Sequence, residues 1–520
     1  MKKKTTKFTD SLLTHLGLAI LSGGLLFFSA PGPVGFAPCA WIALVPLLFV
    51  CRQAGPGRAA LLGLLCGLIY YTLLLYWILI VLGTYGYLSW YISVPVLLLL
   101  ALYMALYIAL FSAAISWLGS SFLSIWSAPL LWVGLDYVRN FFLTGFPWQD
   151  LGYSQYQFPM LIQAADLAGH YGLTFMIVLA NAFFLGLLQR FGSKAKSSFY
   201  SCKNDLILAG AALLAMTGYS LIRYMTIDRE ITAARTVSVG IVQGNIPQNE
   251  KWLPGFQAQT IDTYIALSEK LLALHKVQLL IWPETALPFY PMENQLFKQL
   301  IDRLVLKQQI PLFTGAPHRQ DWQGVTQYYN SSFLIAADGA IMARYDKQHL
   351  VPFGEYIPLR AFMPSSIVPV VETMGDFTPG ASSQPIRIGD LRLGVLICYE
   401  SIFPELARRT TNQGADILVN LTNDAWYGRS SAPWQQLSMA VFRAVETKRS
   451  LARAANTGIS VFIDPLGRTP VLSPLFEPYQ AAADLPLLTN KTIFCRIGHL
   501  FPPACLFIFL VMTGWVKKKR

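Results

Sequence analysis

Eight apolar stretches, each close to the roughly 20 residues a helix needs to cross a bilayer core, constrain this chain more than any other feature. They fall near residues 11–29, 34–50, 59–82, 90–117, 124–143, 167–189, 206–224 and 499–516. Lipid offers the backbone no hydrogen-bond partner, so such stretches read as helices packed into a bundle. The first run follows the basic segment Met1 to Lys7 and resembles a signal peptide. Pro31, Gly32 and Pro33, however, lead directly into another apolar run, and we read it as a retained first span. With 54% hydrophobic and only 13% charged residues, the 520-residue chain is too apolar for a soluble protein of its size.

The formal charge of +12 matters less than where it sits. Met1 to Met225 carries 12 Lys/Arg against 5 Asp/Glu, Arg496 to Arg520 carries 5 against none, and the stretch between them is balanced at 23 against 23. With a cytoplasmic N-terminus, 14 of the 17 outer basic residues fall in cytoplasmic loops and tails, Lys2, Lys3, Arg52, Arg58, Arg190 and Lys203 among them. That is the positive-inside pattern, and it places the middle region outside the cytoplasm with both termini inside. A neutral middle also leaves no electrostatic footprint for nucleic acid. The expected division is therefore a transmembrane bundle of seven spans at 1–225, an extracytoplasmic domain at 226–495, and an eighth span with a basic tail at 496–520.

The middle region reads as an α/β domain. Val237–Val242, Leu279–Ile281, Leu312–Thr314, Ser332–Ala336, Arg392–Ile397, Ile417–Asn420 and Ile459–Ile463 are short β-branched or apolar runs bounded by turn residues. Helical-period stretches at Thr260–His275, Asn294–Lys307, Ile402–Gln413 and Trp434–Glu446 lie between some of them. Two segments depart from this. Phe146–Phe158, with Trp148, Tyr153 and Tyr156, has the aromatic content of an interfacial loop, and Ala361–Thr373 is an apolar, proline-interrupted loop suited either to packing under a long loop or to touching lipid.

Seven cysteines, most inside apolar segments, form no disulfide framework and no zinc-ligand spacing, and HExxH is absent, so neither a metal nor another cofactor is expected. Cys398 stands apart. It ends the apolar run Leu393–Ile397 and is followed by Tyr399 and Glu400, which is how a sheet presents a nucleophile at its rim. A buried structural cysteine is the plainer reading. Two other strand-like runs end in ionisable groups: Glu284 after Trp282 and Pro283, and Lys347 after Tyr345 and Asp346, with Glu355 a short way on. A thiol is only a few per cent ionised at neutral pH and needs a base, a role open to Glu284. Lys347 and the Tyr399 amide are candidate donors to an oxyanion. Singly, each has an ordinary structural explanation, and spacing alone does not join them.

The order of three motifs joins them. "IWPETALP", "YDKQHLVPFGEYIP" and "GVLICYESIFPE" resemble the Glu–Lys–Cys signatures of the nitrilase (carbon–nitrogen hydrolase) superfamily. With "VQGNIPQNEKW" and the flanking spans, the whole chain resembles the apolipoprotein N-acyltransferase family. The resemblance implies a nitrilase-like αββα sandwich facing the periplasm of a bacterial inner membrane, carried on a polytopic helical bundle. It further implies a phospholipid acyl donor, a thioester on Cys398, proton transfer by Glu284, oxyanion stabilisation by Lys347, and a diacylglyceryl apolipoprotein as acceptor. Glu355, Tyr399, Glu400 and Trp252 match positions tied to activity in that family. Trp426, Tyr427 and Trp434 are candidates for a lid or lipid contact that keeps water from the thioester.

Rival readings are a membrane-anchored amidase that uses water, a Cys–His hydrolase using His349, and a transporter or receptor with a degenerate domain. Within the spans, Asp136 and Arg139 lie three apart on one helical face and are expected to pair, while Gly63 and Gly67 form a GxxxG match.

Overall fold

The computed structural model describes residues 2–119, 124–142, 145–192, 203–357 and 376–519. The apolar loop Ala361–Thr373 lies outside the described residues. Two compact units emerge: Met1–Tyr224 with Ser430–Ser438 and Ile497–Arg520, and Met225–Arg429 with Met439–Arg496. The short Ser430–Ser438 segment, which the sequence reading left in the middle domain, belongs to the first unit.

The first unit is helical. Among the described residues, five helices are long and apolar enough to cross a membrane: Leu12–Ser29, Pro56–Leu74, Trp90–Leu118, His170–Arg190 and Lys203–Ala233. The run at 34–50, expected as one span, is a 3₁₀ turn at Ala37–Trp41 followed by the nine-residue helix Val45–Gln53. Pro38 and Pro46 each sit in the first turn of one of the two pieces, where proline, which lacks the N–H that would continue a preceding helix, is best tolerated. The fifth expected span shortens to the 16-residue helix Ser124–Arg139, and the last helix is Phe501–Lys519. Gly63 and Gly67 both lie where the helix Pro56–Leu74 meets Trp90–Leu118. A Cβ on Gly67 would come within 2.8 Å of the Ala105 backbone, so the GxxxG match is a packing surface.

A buried cluster of charges inside this unit is paired. Arg139 bonds Asp136 at 3.2 Å and also contacts Asp150, which holds His170 at 2.7 Å. This explains a departure from expectation: the aromatic segment after residue 145 is buried inside the unit, with Trp148 and Tyr153 almost sealed. Trp148 and Trp77 both donate their indole N–H to Oε1 of Gln435, at 2.7 and 3.1 Å, and the Gln435 amide donates to Leu74 and Ser431. Ser431 N–H in turn donates to the Tyr76 hydroxyl.

The second unit is a sandwich of two mixed sheets. Its strands are β1 (Thr236–Gln243), β2 (Leu279–Ile281), β3 (Leu312–Trp322), β4 (Val325–Ile335), β5 (Ile341–Asp346), β6 (Ile386–Ile388), β7 (Leu391–Ile397), β8 (Ile417–Thr422), β9 (Ser450–Ala455), β10 (Val461–Ile463) and β11 (Tyr479–Pro486). One sheet runs β11-β1-β2-β3-β4-β5 and the other β10-β9-β8-β7-β6. β1, β2 and β3 are mutually parallel, as are β7, β8 and β9, and the edges are antiparallel. Val239, Ile241, Ile281 and Phe313 of the first sheet meet Val395, Ile397, Val419 and Leu421 of the second in a single inner core. Helices Pro254–Leu274 and Gln295–Gln308 cover the first sheet's outer face through Tyr264, Ile301 and Leu304. The second sheet is covered by Pro404–Asn412, whose Thr410 leaves no room for a Cβ on Gly394 of β7. This is an αββα order, and it brings the C-terminal ends of β2, β5 and β7 to one place.

Candidate active site

Glu284, Lys347 and Cys398 each sit just past the end of one of those strands, and all three are buried. Lys347 Nζ lies 3.8 Å from Glu284 Oε1 and 2.8 Å from Glu355 Oε1. Asn330, on β4, ties the two carboxylates together: its amide donates to Glu284 Oε1 at 2.7 Å and to Glu355 Oε1 at 2.9 Å. Glu355 is fixed through its other oxygen by the Val351 N–H at 2.8 Å. The backbone of Cys398 is left-handed at φ 50°, an uncommon conformation that lets the chain leave β7 sharply and aim the thiol out of the strand end.

Electrostatics divide the roles. Burial pushes the Cys398 thiol up to about 12, the negative charge of Glu284 adds to this, and Lys347 and the Thr422 hydroxyl oppose it. The resting sulfur is therefore a thiol and needs a base at the moment of attack. Burial also raises Glu284 above the usual carboxylate range, offset in part by Lys347 and the Asn330 hydrogen bond. For Lys347, burial works against the charge, but Glu355, Glu284 and Cys398 outweigh it and hold the ammonium above the usual lysine value. A neutral thiol, a carboxylate with raised basicity and a fixed cation together suit general-base attack on a carbonyl.

Glu400 acts as a staple. Its carboxylate, fully buried, accepts from Ile397 N–H at 2.7 Å, Gln348 N–H at 2.6 Å, His349 N–H at 3.1 Å and the Tyr345 hydroxyl at 3.0 Å. It thus ties the end of β7, which carries Cys398, to the segment after β5, which carries Lys347. Burial lifts its pKa to about 7, against these donors and the charge of Lys347.

The other sequence candidates divide. Tyr399 is buried in the turn after Cys398, its ring 5.2 Å from Phe403. Burial raises the Tyr427 phenol well above its usual value, and the proximity of Cys398 adds to this. Trp426 is 40% exposed, and Trp434 lies in the first unit, so the three lid candidates do not form one patch within either unit. Trp252 is half exposed beside Pro288 and Tyr290 in an open recess of about 570 Å³, outside the hydrogen-bonded network of the triad. His349 lies beyond β5, with its ring 3.8 Å from that of Phe403, and burial followed by Lys347 presses its pKa down to about 4. That packing argues against the Cys–His reading.

Sequence reasoning passed over the residues that hold this arrangement. Asn330 lies two residues before the run Ser332–Ala336, which the sequence marked only as a strand. Thr422 donates to Asp424 at 2.8 Å, and Asp424 pairs with Arg453 at 2.9 Å in a sealed ion pair behind Cys398. Gly458 is required there, since a Cβ would fall 2.0 Å from Asp424 Oδ2. The available signal was weak: a polar residue inside an otherwise buried strand, as with Asn420 on β8 and Arg453 on β9. Among the described residues no group of three or more His, Cys, Asp or Glu side chains is placed to hold a metal ion.

A thiol, a carboxylate and an ammonium gathered at three strand ends of an αββα sandwich define the carbon–nitrogen hydrolase class, and the carbon–nitrogen hydrolase family model matches residues 238–489. The model for the apolipoprotein N-acyltransferase N-terminal domain matches residues 22–183. The chain is 42% identical to the apolipoprotein N-acyltransferase of Geobacter metallireducens over 94% of its own length and 92% of the relative's, and 33% identical to that of Azotobacter vinelandii over 97% and 95%. A solved carbon–nitrogen hydrolase from Helicobacter pylori G27 aligns with 49% of this chain and 90% of its own at 18% identity and a TM-score of 0.37. The chain belongs to the apolipoprotein N-acyltransferase family, and it is an acyltransferase of the membrane.

Proposed function

We propose that this enzyme moves an acyl chain from a phospholipid to the α-amino group of an N-terminal S-diacylglyceryl-cysteine on an apolipoprotein, by a ping-pong route through a thioester on Cys398. In the first half-reaction Glu284 takes the thiol proton as sulfur attacks the ester carbonyl. Lys347 faces the developing oxyanion, and collapse expels the lysophospholipid, which leaves with the proton from Glu284. In the second, the amine attacks the thioester and gives its proton to Glu284, which returns it to the departing sulfur. The products are an amide and a regenerated thiol. Glu355 holds Lys347 in line. The distribution of basic residues supports a bacterial inner-membrane location with this chemistry on the periplasmic side and both termini in the cytoplasm.

The observation that carries this reading is the gathering of buried Cys398, Glu284 and Lys347 at three strand ends, with Lys347 Nζ 3.8 Å from Glu284 Oε1, in a chain whose other unit holds membrane-length helices. The test uses purified protein in detergent with acyl-labelled phospholipid. Label resistant to denaturation but released by hydroxylamine is expected on wild type and not on Cys398→Ser. Turnover of small amides with no such label would instead establish the water-using amidase.

A further inference from the structure

Lys251 immediately precedes Trp252, and its side chain is fully buried. A sealed ammonium is costly unless its hydrogens find acceptors, and here they find two. Nζ donates to the backbone carbonyl of Glu284 at 3.2 Å and to the hydroxyl of Thr285 at 2.5 Å. Both acceptors belong to the two residues that set the direction of the catalytic carboxylate.

That stretch of backbone needs holding. Thr285 is left-handed at φ 47°, and for a β-branched residue this is a strained conformation. On one side it rests against Gly315 of β3, whose N–H donates to the Pro283 carbonyl at 3.1 Å. A Cβ on Gly315 would fall 2.4 Å from Thr285 N and 2.7 Å from Glu284 Cα. Lys251 bonds the same turn through the Glu284 carbonyl and the Thr285 side chain. The turn is therefore held by a close-packed glycine and by a buried cation, and Glu284 leaves it toward Asn330 and Lys347.

We propose that Lys251 is a positioning residue for acyl transfer, gathering the Glu284 carbonyl and the Thr285 hydroxyl so that the Glu284 carboxylate is held on line with Cys398. This rests on Glu284 being the proton carrier. A second consequence is electrostatic: Glu284 is faced by Lys347, Glu355, Lys251 and Cys398, and the positive charge of Lys251 favours its ionised form. Burial lowers Lys251 itself to about 8, which Glu284 partly offsets.

The test measures single-turnover acylation of Cys398 by labelled phospholipid in detergent, against lipid concentration and pH, with a thermal scan on every variant. Lys251→Met is expected to slow acylation at saturating lipid about 10- to 100-fold, with little change in the lipid concentration for half-maximal rate. Its acid limb is expected to move to higher pH, because loss of the cation raises the pKa of Glu284. Asparagine tolerates a positive φ, so Lys251→Met combined with Thr285→Asn is expected to recover about tenfold of the loss. If Lys251→Met lacks a thermal transition, Thr285→Val is read in its place, and a loss of about threefold or more in the saturated rate is expected. An unchanged saturated rate and acid limb in the folded variant read would overturn the proposal, as would a loss confined to lipid affinity. Glu284→Gln separates the two ideas: if it still acylates Cys398, the reading of Glu284 fails. If it does not, while Lys251→Met behaves as wild type, only the role of Lys251 fails.

Discussion

Asn330 contributes one amide group and sets the relation between two carboxylates and a lysine. Its N–H favours the ionised form of Glu284, so Asn330→Ala is expected to raise the pKa of that carboxylate further. Activity needs Glu284 unprotonated and therefore appears as pH rises through its pKa. The acid limb of Cys398 acylation is accordingly expected to shift to higher pH in the variant, with the plateau rate lowered by about tenfold or more. A pH series of thioester formation on the two proteins checks both. The candidate residues Glu284, Lys347 and Cys398 were legible in the sequence because each follows a strand-like run with an ionisable group. Asn330, Lys251 and Asp424 were not, because a polar residue inside a strand or loop carries no mark of what faces it until strands distant in sequence are paired.

Among elements, the sandwich depends on tying β5 to β7 across the two sheets, and Glu400 does this with one carboxylate. In Glu400→Gln the amide –NH₂ no longer accepts, so at least one buried donor is left without its partner. A loss of about 1–3 kcal/mol in stability is expected, with acylation slowed by an order of magnitude as Cys398 and Lys347 lose registry. Thermal unfolding in detergent and single-turnover labelling measure the two effects separately. Strands rich in β-branched residues, such as β1, β7 and β8, were readable from composition. β9, Ser-Leu-Ala-Arg-Ala-Ala, and β11, with its three consecutive alanines, were not, since their residues favour helices and only pairing with β8 and β10, or with β1, makes them extended. In the membrane unit, hydropathy gave the apolar runs, but proline placement divided one of them at Pro38 and Pro46.

At the scale of the whole molecule, the first unit is assembled from three separated stretches of chain. The Ser430–Ser438 segment contributes Gln435, which meets Trp77, Trp148, Leu74 and Ser431, and Ser438, which meets Gln149. A fragment cut at residues 225 and 496 would keep Glu284, Lys347 and Cys398 but leave Gln435 and its neighbours without these partners. Such a fragment is expected to aggregate or to unfold at least about 5 °C below the intact enzyme, and to lack thioester formation. Size-exclusion and thermal scans of the fragment would show this. Hydropathy alone would place the cut there, because nothing in the composition of Ser430–Ser438 distinguishes it from the domain around it.

The same feature imposes an order in time. During synthesis the residues up to Tyr224 are made well before Gln435, so the bonds from Trp77 and Trp148 to Gln435 form only after more than 200 further residues have been added. The membrane half of this enzyme is therefore completed late, by two segments, Ser430–Ser438 and Ile497–Arg520, that arrive only after most or all of the sandwich has been translated.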